Sequence, residues 1–225
     1  MDPQLVLLLV ASAVAVAAAA FVISRQLAAR RREALRAAAL GLGFEFQPEP
    51  EAPPGDLTTL RIFSHGRAHK LRNVLRGRRG DTSVLVADHH YVTGSGKNQH
   101  RHRAALVILR CPRLALPHFF MRPQIAVIDR IGRLLGGKDV DFAEDDGFSA
   151  AFVLQGEAET DVRAAFSAPV RQQALQLGRG VRVEGRGDAV LIERARAVPP
   201  DETSLLLDRA AAFLEVLAGS SRPRW

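Results

Sequence analysis

The fold class is decided by two apolar stretches and the glycine-rich segment between them: TSVLVADHHYVT (Thr82–Thr93), GSGKN (Gly94–Asn98) and AALVILR (Ala104–Arg110). β-branched and large apolar side chains dominate both stretches, which is typical of β-strands. The glycine-rich segment suits a tight turn. Strands joined by so short a connection pair antiparallel, because a parallel pair needs a crossover of a dozen or more residues. We therefore predict an antiparallel hairpin over residues 82–110.

Further elements extend from this hairpin in both directions along the chain. Apolar runs bounded by turn residues predict strands at His69–Arg76, His118–Arg122, Phe148–Leu154, Val181–Glu184 and Ala189–Glu193. Prolines, acidic first turns and terminal glycines predict helices after Pro123, over residues 157–166, after Pro169 and over Asp201–Ala218. The order indicates an α+β protein, with a mainly antiparallel β domain, interspersed helices and a C-terminal helix. The element count also matches a pleckstrin-homology-like (PH-like) barrel, which stands as the more specific alternative.

The N-terminal segment is apolar over 19 residues, Leu5–Ile23, with Ser12 as its only polar member. Because a bilayer core takes about 20 helical residues, this run is long enough to cross it. An acid and no base precede the run, whereas five arginines follow it between residues 25 and 36. A cleaved signal peptide carries its positive charge before the apolar core, and cytoplasmic flanks are rich in arginine. We predict a single-pass transmembrane helix with a cytoplasmic C-terminal domain; a cleaved signal peptide and a buried helix are the alternatives.

Composition shifts divide the chain into five segments. Gly41 and Gly43 end the helical pattern that follows the apolar run, and residues 47–56 hold four prolines and three acids. The predicted segments are a transmembrane anchor (1–24), a basic juxtamembrane helix (25–43), a Pro-rich linker (44–56), the α+β domain (57–219) and a tail (220–225).

Positive charge is concentrated in the first half of the domain. The chain has a net charge of +7, and residues 61–113 carry twelve Lys or Arg against two acids. Such a surface suits contact with an anionic membrane, or it is only a solvated charged face. Nucleic acid is disfavoured, because Phe63 and Tyr91 are the only aromatic residues there that could stack on bases. The candidate residues for anion or lipid contact are Arg25, Arg30, Arg31, Arg32, Arg78, Arg79, Lys97, Arg101 and Arg103.

The hairpin is also rich in histidine, which raises the question of a metal or a catalytic site. Paired strands would bring His90 near His100 and His102, and three imidazoles could bind zinc. No carboxylate except Asp88 accompanies them, so the prediction is no metal and no cofactor, with that triad as the alternative. The loop GSGKN is not a phosphate-binding P-loop, because Tyr91 and Asn98 stand where that motif requires Gly and Ser or Thr. The single cysteine, Cys111, excludes an intramolecular disulfide.

Several short sequence patterns together resemble a family of uncharacterised bacterial single-pass membrane proteins with a C-terminal domain of unknown function. They are Asn73-Val-Leu-Arg-Gly77, the loop from Tyr91 to Asn98, Leu116-Pro-x-Phe-x-x-Arg-Pro123, Asp139-Val-Asp-Phe142 and Phe148-Ser. The resemblance implies a bacterial inner membrane location over about residues 40–218, and it brings no catalytic residue with it.

These patterns favour a non-enzymatic, membrane-anchored cytoplasmic interaction or scaffold module that contacts anionic lipid. A protein partner or a homodimer is compatible with this, since Ala11, Ala15 and Ala19 share one face of the anchor. The alternative is an envelope-associated hydrolase or transferase that uses the histidine-rich hairpin loop.

Overall fold

A computed structural model describes residues 2–124, 139–178 and 180–220. The helices in these ranges are α1 (Pro3–Leu42), α2 (Arg61–Ser64), α3 (Asp146–Ala151), α4 (Glu159–Ala165), α5 (Ala168–Gln176) and α6 (Thr203–Ser220). The strands are β1 (Glu45–Gln47), β2 (Arg67–Arg79), β3 (Thr82–Thr93), β4 (His100–Arg110), β5 (Leu116–Pro123), β6 (Phe152–Gly156), β7 (Val181–Gly187) and β8 (Ala189–Arg194). The helix expected after Pro123 and most of the tail lie outside the described residues.

The eight strands form one antiparallel sheet in the order β1-β2-β3-β4-β8-β7-β5-β6. The α+β class is therefore confirmed. β1 and β6 are the two ends of this order, so the described strands form an open sheet instead of the closed PH-like barrel. The central hairpin pairs as predicted, with Val86 opposite Val107 and Tyr91 opposite His102.

The sheet buries both of its faces. One face packs against helices α3–α6 and the C-terminal third of α1, where Leu35 and Ala39 are buried. The other face is covered by residues 57–63, including α2, whose Ile62 and Phe63 are buried. This second face carries the buried polar groups described below, apart from Asp88.

Helix α1 continues through both the anchor and the basic segment that follows it. Forty residues at 1.5 Å each make a rod of about 60 Å. Within the described ranges it is the one helix long and apolar enough to cross a membrane, and its apolar part lies entirely outside the domain. Gly43 ends it in the left-handed conformation, and Phe44 N then donates to Ala39 O.

Two segments differ from the sequence-based expectation. Residues 45–47, predicted as part of a proline-rich linker, add the edge strand β1 to the sheet because Phe44 and Phe46 pack against its apolar surface. Residues 148–151, predicted as strand, form the last part of helix α3. The Asp145 carboxylate accepts a hydrogen bond from Phe148 N at 3.0 Å and so caps this helix.

Candidate functional site

The anchor helix is fixed to the sheet by a buried cluster around Asp88 on β3. Arg31 of α1 donates to both Asp88 carboxylate oxygens, at 2.7 and 3.1 Å, and also to Val198 O at 2.8 Å. Asn73 and Arg103 donate to the same carboxylate, at 2.7 and 2.9 Å. Only 3% of Asp88 is exposed. Burial opposes its charge, but the hydrogen bonds from Arg31 and Asn73 outweigh burial and hold the pKa of Asp88 below its usual value.

A bulge in β2 brings Asn73 into this cluster. The register between β2 and β3 shifts between Arg72 and Leu75, and Asn73 adopts a positive φ of 50°. Asparagine tolerates this left-handed conformation better than most residues. The bulge therefore aims the Asn73 amide at the carboxylate that holds α1.

The direction of the hairpin follows from two contacts of α1. At its lower end, the Phe44 ring lies directly against Gly77, which pairs with Val84 of β3. At its upper end, Arg31 reaches Asp88. Passing from Val84 to Asp88 along β3 therefore follows the same direction as passing from Phe44 to Arg31 along α1. Beyond these points, β3 leads to its turn and α1 leads to its apolar segment.

The hairpin tip, residues 93–103, extends far in this direction. From Asp88 to Gly94 the strand rises about 20 Å, at about 3.3 Å per residue. From Arg31, α1 takes about 9 Å to reach Arg25 and about 12 Å to reach Ile23, the last residue of the apolar run. The tip is therefore long enough to reach the level at which the apolar segment of α1 ends.

The hairpin tip and its surroundings are strongly basic. Residues 65–72 and 89–103 hold six Lys or Arg, six His and no acid. Lys97, His100, Arg101 and Arg103 are exposed. Arg67 crosses from β2 and donates to Gly94 O, which ties the turn to the neighbouring strand.

The structure separates the predicted anion-contacting residues into groups. Lys97, Arg101 and Arg103 lie at the hairpin tip, and Arg30 and Arg32 are exposed on α1, where Arg25 stacks on Phe21. Arg31 and Arg103 also bind Asp88. Arg78 and Arg79 lie at the opposite end of the sheet, where Arg79 pairs with Asp208 at 2.6 Å. No anion or lipid is in contact with any of them in the structure, so their role stays a prediction.

Behind the tip, aromatic side chains form a stack that we call the histidine ladder: His69, His89, Tyr91 and His102. Tyr91 stacks on His102 at 4.7 Å between ring centroids, on His89 at 5.0 Å and on His69 at 5.5 Å. His69 Nδ1 lies 3.0 Å from His89 Nε2. Burial, and then the neighbouring His89, lower the pKa of His69, so its ring is neutral at pH 7.

A buried carboxylate fixes the ladder. Glu193 is fully buried and lies 2.7 Å from His89 Nδ1, so this ring nitrogen donates to it. Arg182 pairs with the same carboxylate and donates to the Tyr91 hydroxyl at 3.0 Å. The small side chain of Ala104, which pairs with His89, leaves room for this contact across β4.

The alternative zinc triad does not converge. His90 and Tyr91 are sequence neighbours on opposite faces of the sheet, whereas His102 pairs with Tyr91 and contacts Thr93 Oγ1 at 2.7 Å. His100 is exposed. Among the described residues, no group of three or more His, Cys, Asp or Glu could hold a metal ion.

Sequence reasoning missed the Asp88 cluster and the ladder. Both join residues far apart in sequence, such as Arg31 with Asp88 and His89 with Glu193. The available signal was an acid inside an apolar strand pattern, which both Asp88 and Glu193 provide.

The fold is similar to one solved structure, "crystal structure of the mycobacterial trehalose monomycolate transport factor A, TtfA". The TM-score is 0.58, and the match covers 88% of this chain and 98% of that chain at 12% sequence identity. At this identity the likeness shows the fold alone. No family model matches the chain, and no curated protein matches it in sequence.

Proposed function

We propose that the protein is a non-enzymatic interaction module of a bacterial inner membrane, anchored by α1, with its domain in the cytoplasm and its hairpin tip on anionic lipid headgroups. The observation that carries this proposal is the rigid link at Asp88. Because Arg31 is bound there, the length of β3 beyond Asp88 decides how close the tip comes to the membrane. The lengths along β3 and α1 given above support contact at the level of Arg25.

The orientation rests on the charges that flank the apolar run. Asp2 precedes the run and arginines follow it, which by the positive-inside rule favours a cytoplasmic domain. The cytoplasmic leaflet is also the anionic one, and each basic residue near it contributes about 1 kcal/mol. Lys97 and Arg101 at the tip, together with Arg30 and Arg32 on α1, would contribute roughly 4 kcal/mol in this way. That is enough to hold a domain that is already tethered.

The fold neighbour supports a class of partner. That protein is, by its title, a transport factor for a glycolipid. A domain that α1 and the tip hold against the inner leaflet is well placed to contact the cytoplasmic side of a membrane protein that moves lipid. We therefore extend the proposal to an accessory role beside such a transporter.

The experiment measures the depth of the tip in a bilayer. The full chain is placed in lipid nanodiscs with a spin label at Ser95→Cys, in a Cys111→Ser background, and exposure to a water-soluble relaxation agent is recorded. Vesicle binding of the full chain would be uninformative, because α1 keeps it in the membrane regardless. We expect the label to be shielded in discs with anionic phosphatidylglycerol and exposed in purely neutral phosphatidylcholine.

A charge-matched pair of variants separates the tip from general electrostatics. Lys97→Gln with Arg101→Gln should expose the label in anionic discs. Arg78→Gln with Arg79→Gln removes the same charge at the far end of the sheet and should leave the label shielded. A label equally exposed in both lipids, or equal effects of the two double variants, would refute the proposal.

A further inference from the structure

A polar cleft lies on the second face of the sheet, near its β6 edge and away from the hairpin tip. It has a volume of about 340 Å³ and is lined by Arg61, His118, Phe119, Phe120, Gln155, Gly156 and Glu157. His118 sits on β5, next to Phe119, which pairs with Gly185 of β7. Gly185 in turn pairs with Val190, and through β4 this row leads to Val84, about ten residues before the tip. The cleft therefore faces away from the apolar end of α1.

The floor of this cleft is a buried carboxylate that orients His118. Glu184 is fully buried, and its Oε1 lies 2.9 Å from His118 Nε2. The same carboxylate accepts hydrogen bonds from the backbone N–H groups of Arg61 and Ile62, each at 2.9 Å. A carboxylate that accepts from all sides leaves His118 Nε2 as a donor. The other ring nitrogen, Nδ1, is then the one available to the cleft.

The wall of the cleft holds a positioned guanidinium. Arg61 Cζ lies 5.4 Å from the centre of the Phe120 ring, and Arg61 donates to Gln155 Oε1 at 2.6 Å. Gln155 is itself fixed, because its amide donates to Asp139 Oδ1 at 2.8 Å. A planar guanidinium held on an aromatic face with further N–H groups to offer is a favourable partner for carboxylate or phosphate.

The chain itself places a carboxylate where such a ligand group would lie. Glu157 Oε1 is 3.7 Å from His118 Nδ1, and 84% of the Glu157 side chain is exposed. An exposed side chain on a surface ion pair is weakly held and can be displaced. Glu157 therefore marks a position for an oxyanion and competes for it.

We propose that this cleft binds a soluble small molecule through its carboxylate or phosphate group, between the Arg61 guanidinium and His118 Nδ1. In the complex both imidazole nitrogens donate, and the buried Glu184 carboxylate balances the charge of the ring. The ligand is a solute and not a lipid headgroup, since the cleft lies at the end of the sheet opposite the membrane-directed tip. This inference does not depend on the tip binding lipid.

The test follows His118 by NMR in the full chain in neutral detergent micelles, with ¹⁵N-labelled histidine. Phosphate and acetate are titrated at constant ionic strength, with chloride as the control anion, and His118→Gln identifies the signal. We expect a saturable shift of the His118 signal with phosphate or acetate and not with chloride. Arg61→Gln keeps the backbone N–H that binds Glu184, and it should weaken the affinity about tenfold.

A matched pair of acid variants tests the competition. Glu157→Gln removes the competing carboxylate and should strengthen oxyanion binding severalfold. Asp208→Asn removes an exposed acid elsewhere and should not change the affinity. No saturable shift, an unchanged affinity in Arg61→Gln, or equal affinities in Glu157→Gln and Asp208→Asn would overturn the inference. Displacement of acetate by phosphatidylglycerol micelles would show that the site takes headgroups and would overturn its assignment to a solute.

Discussion

Replacing Asp88 by asparagine tests the link between anchor and domain. The substitution keeps the shape of the side chain and removes the charge that Arg31 and Arg103 share. Asp88 is 3% exposed and Arg31 is 18% exposed, so this ion pair is nearly buried, whereas Arg103 is 43% exposed and contributes little. Removing one partner of a buried pair costs about 3–5 kcal/mol, because the other charge stays buried without compensation. We expect the free energy of unfolding to fall by about 3 kcal/mol, at the low end of that range.

The single cysteine provides the assay. Cys111 is fully buried in the same core cluster as Leu35 and Ala39 of α1, so it reacts with a thiol reagent only after the domain opens. When reclosing is faster than labelling, a loss of about 3 kcal/mol raises the labelling rate roughly 150-fold. The full chain in detergent micelles is used, since α1 contributes to the core.

Two control variants define the result. Asp208→Asn breaks the exposed pair with Arg79 and should change the labelling rate by less than about fivefold, in keeping with at most 1 kcal/mol for a surface pair. Replacing both Asp88 by leucine and Arg31 by methionine removes both charges and should restore most of the loss. An Asp88→Asn protein that labels no faster than Asp208→Asn would refute the role of the cluster.

The remaining predictions concern pH and packing. Because the pKa of Asp88 is lowered in the folded state, its stabilisation is complete above the unfolded value of about 3.9. It is lost as pH falls through the folded value, so the stability difference between wild type and Asp88→Asn, followed by Cys111 labelling, should narrow below about pH 4. Gly77→Ala places a methyl group inside the Phe44 ring and should cost about 1–3 kcal/mol, whereas Gly41→Ala meets no atom within 4 Å and should stabilise α1 by about 0.5–1 kcal/mol; thermal unfolding checks both. Glu193→Gln weakens the buried contact with His89 and should cost about 2–4 kcal/mol by the same measurement, and an unchanged melting temperature would contradict the described network.

Local sequence patterns were sufficient for the elements of the sheet. Thr82–Thr93 was predicted with the bounds that β3 has, because its β-branched run and the glycine turn are both local signals. The C-terminal helix and the second hairpin, Val181 to Glu193, were predicted within a few residues for the same reason. The order of the strands was not predictable, since β5 and β6 lie beyond β7 at the far end of the sheet and no short connection specifies that pairing.

Residues 148–151 show where a local pattern misleads. Phe148, Ala151 and Phe152 are apolar enough for a strand, but the Asp145 side chain caps the preceding backbone and starts a short helix. Arg171 holds Asp145 in place at 2.8 Å, and this contact comes from a helix 26 residues later. The decisive interaction was therefore a tertiary one.

The candidate site was predictable in composition and not in geometry. The basic character of the hairpin is a matter of counting charges, and Lys97, Arg101 and Arg103 could be named from it. That Arg78 and Arg79 lie at the other end of the sheet follows only from the length of β2 and its pairing with β3. The cleft around His118 and Glu184 joins residues 66 positions apart, and no local pattern signals it.

Photo-crosslinking from Lys97 in intact bacterial cells tests the central claim most directly. A benzophenone amino acid at position 97 of the full chain should become covalently linked to anionic phospholipid, while the same group at Arg79 should not. A Lys97 probe that captures no lipid, or a cysteine at Ser95 that reacts with an impermeant reagent added outside the inner membrane, would contradict a cytoplasmic domain that rests its hairpin on the inner leaflet.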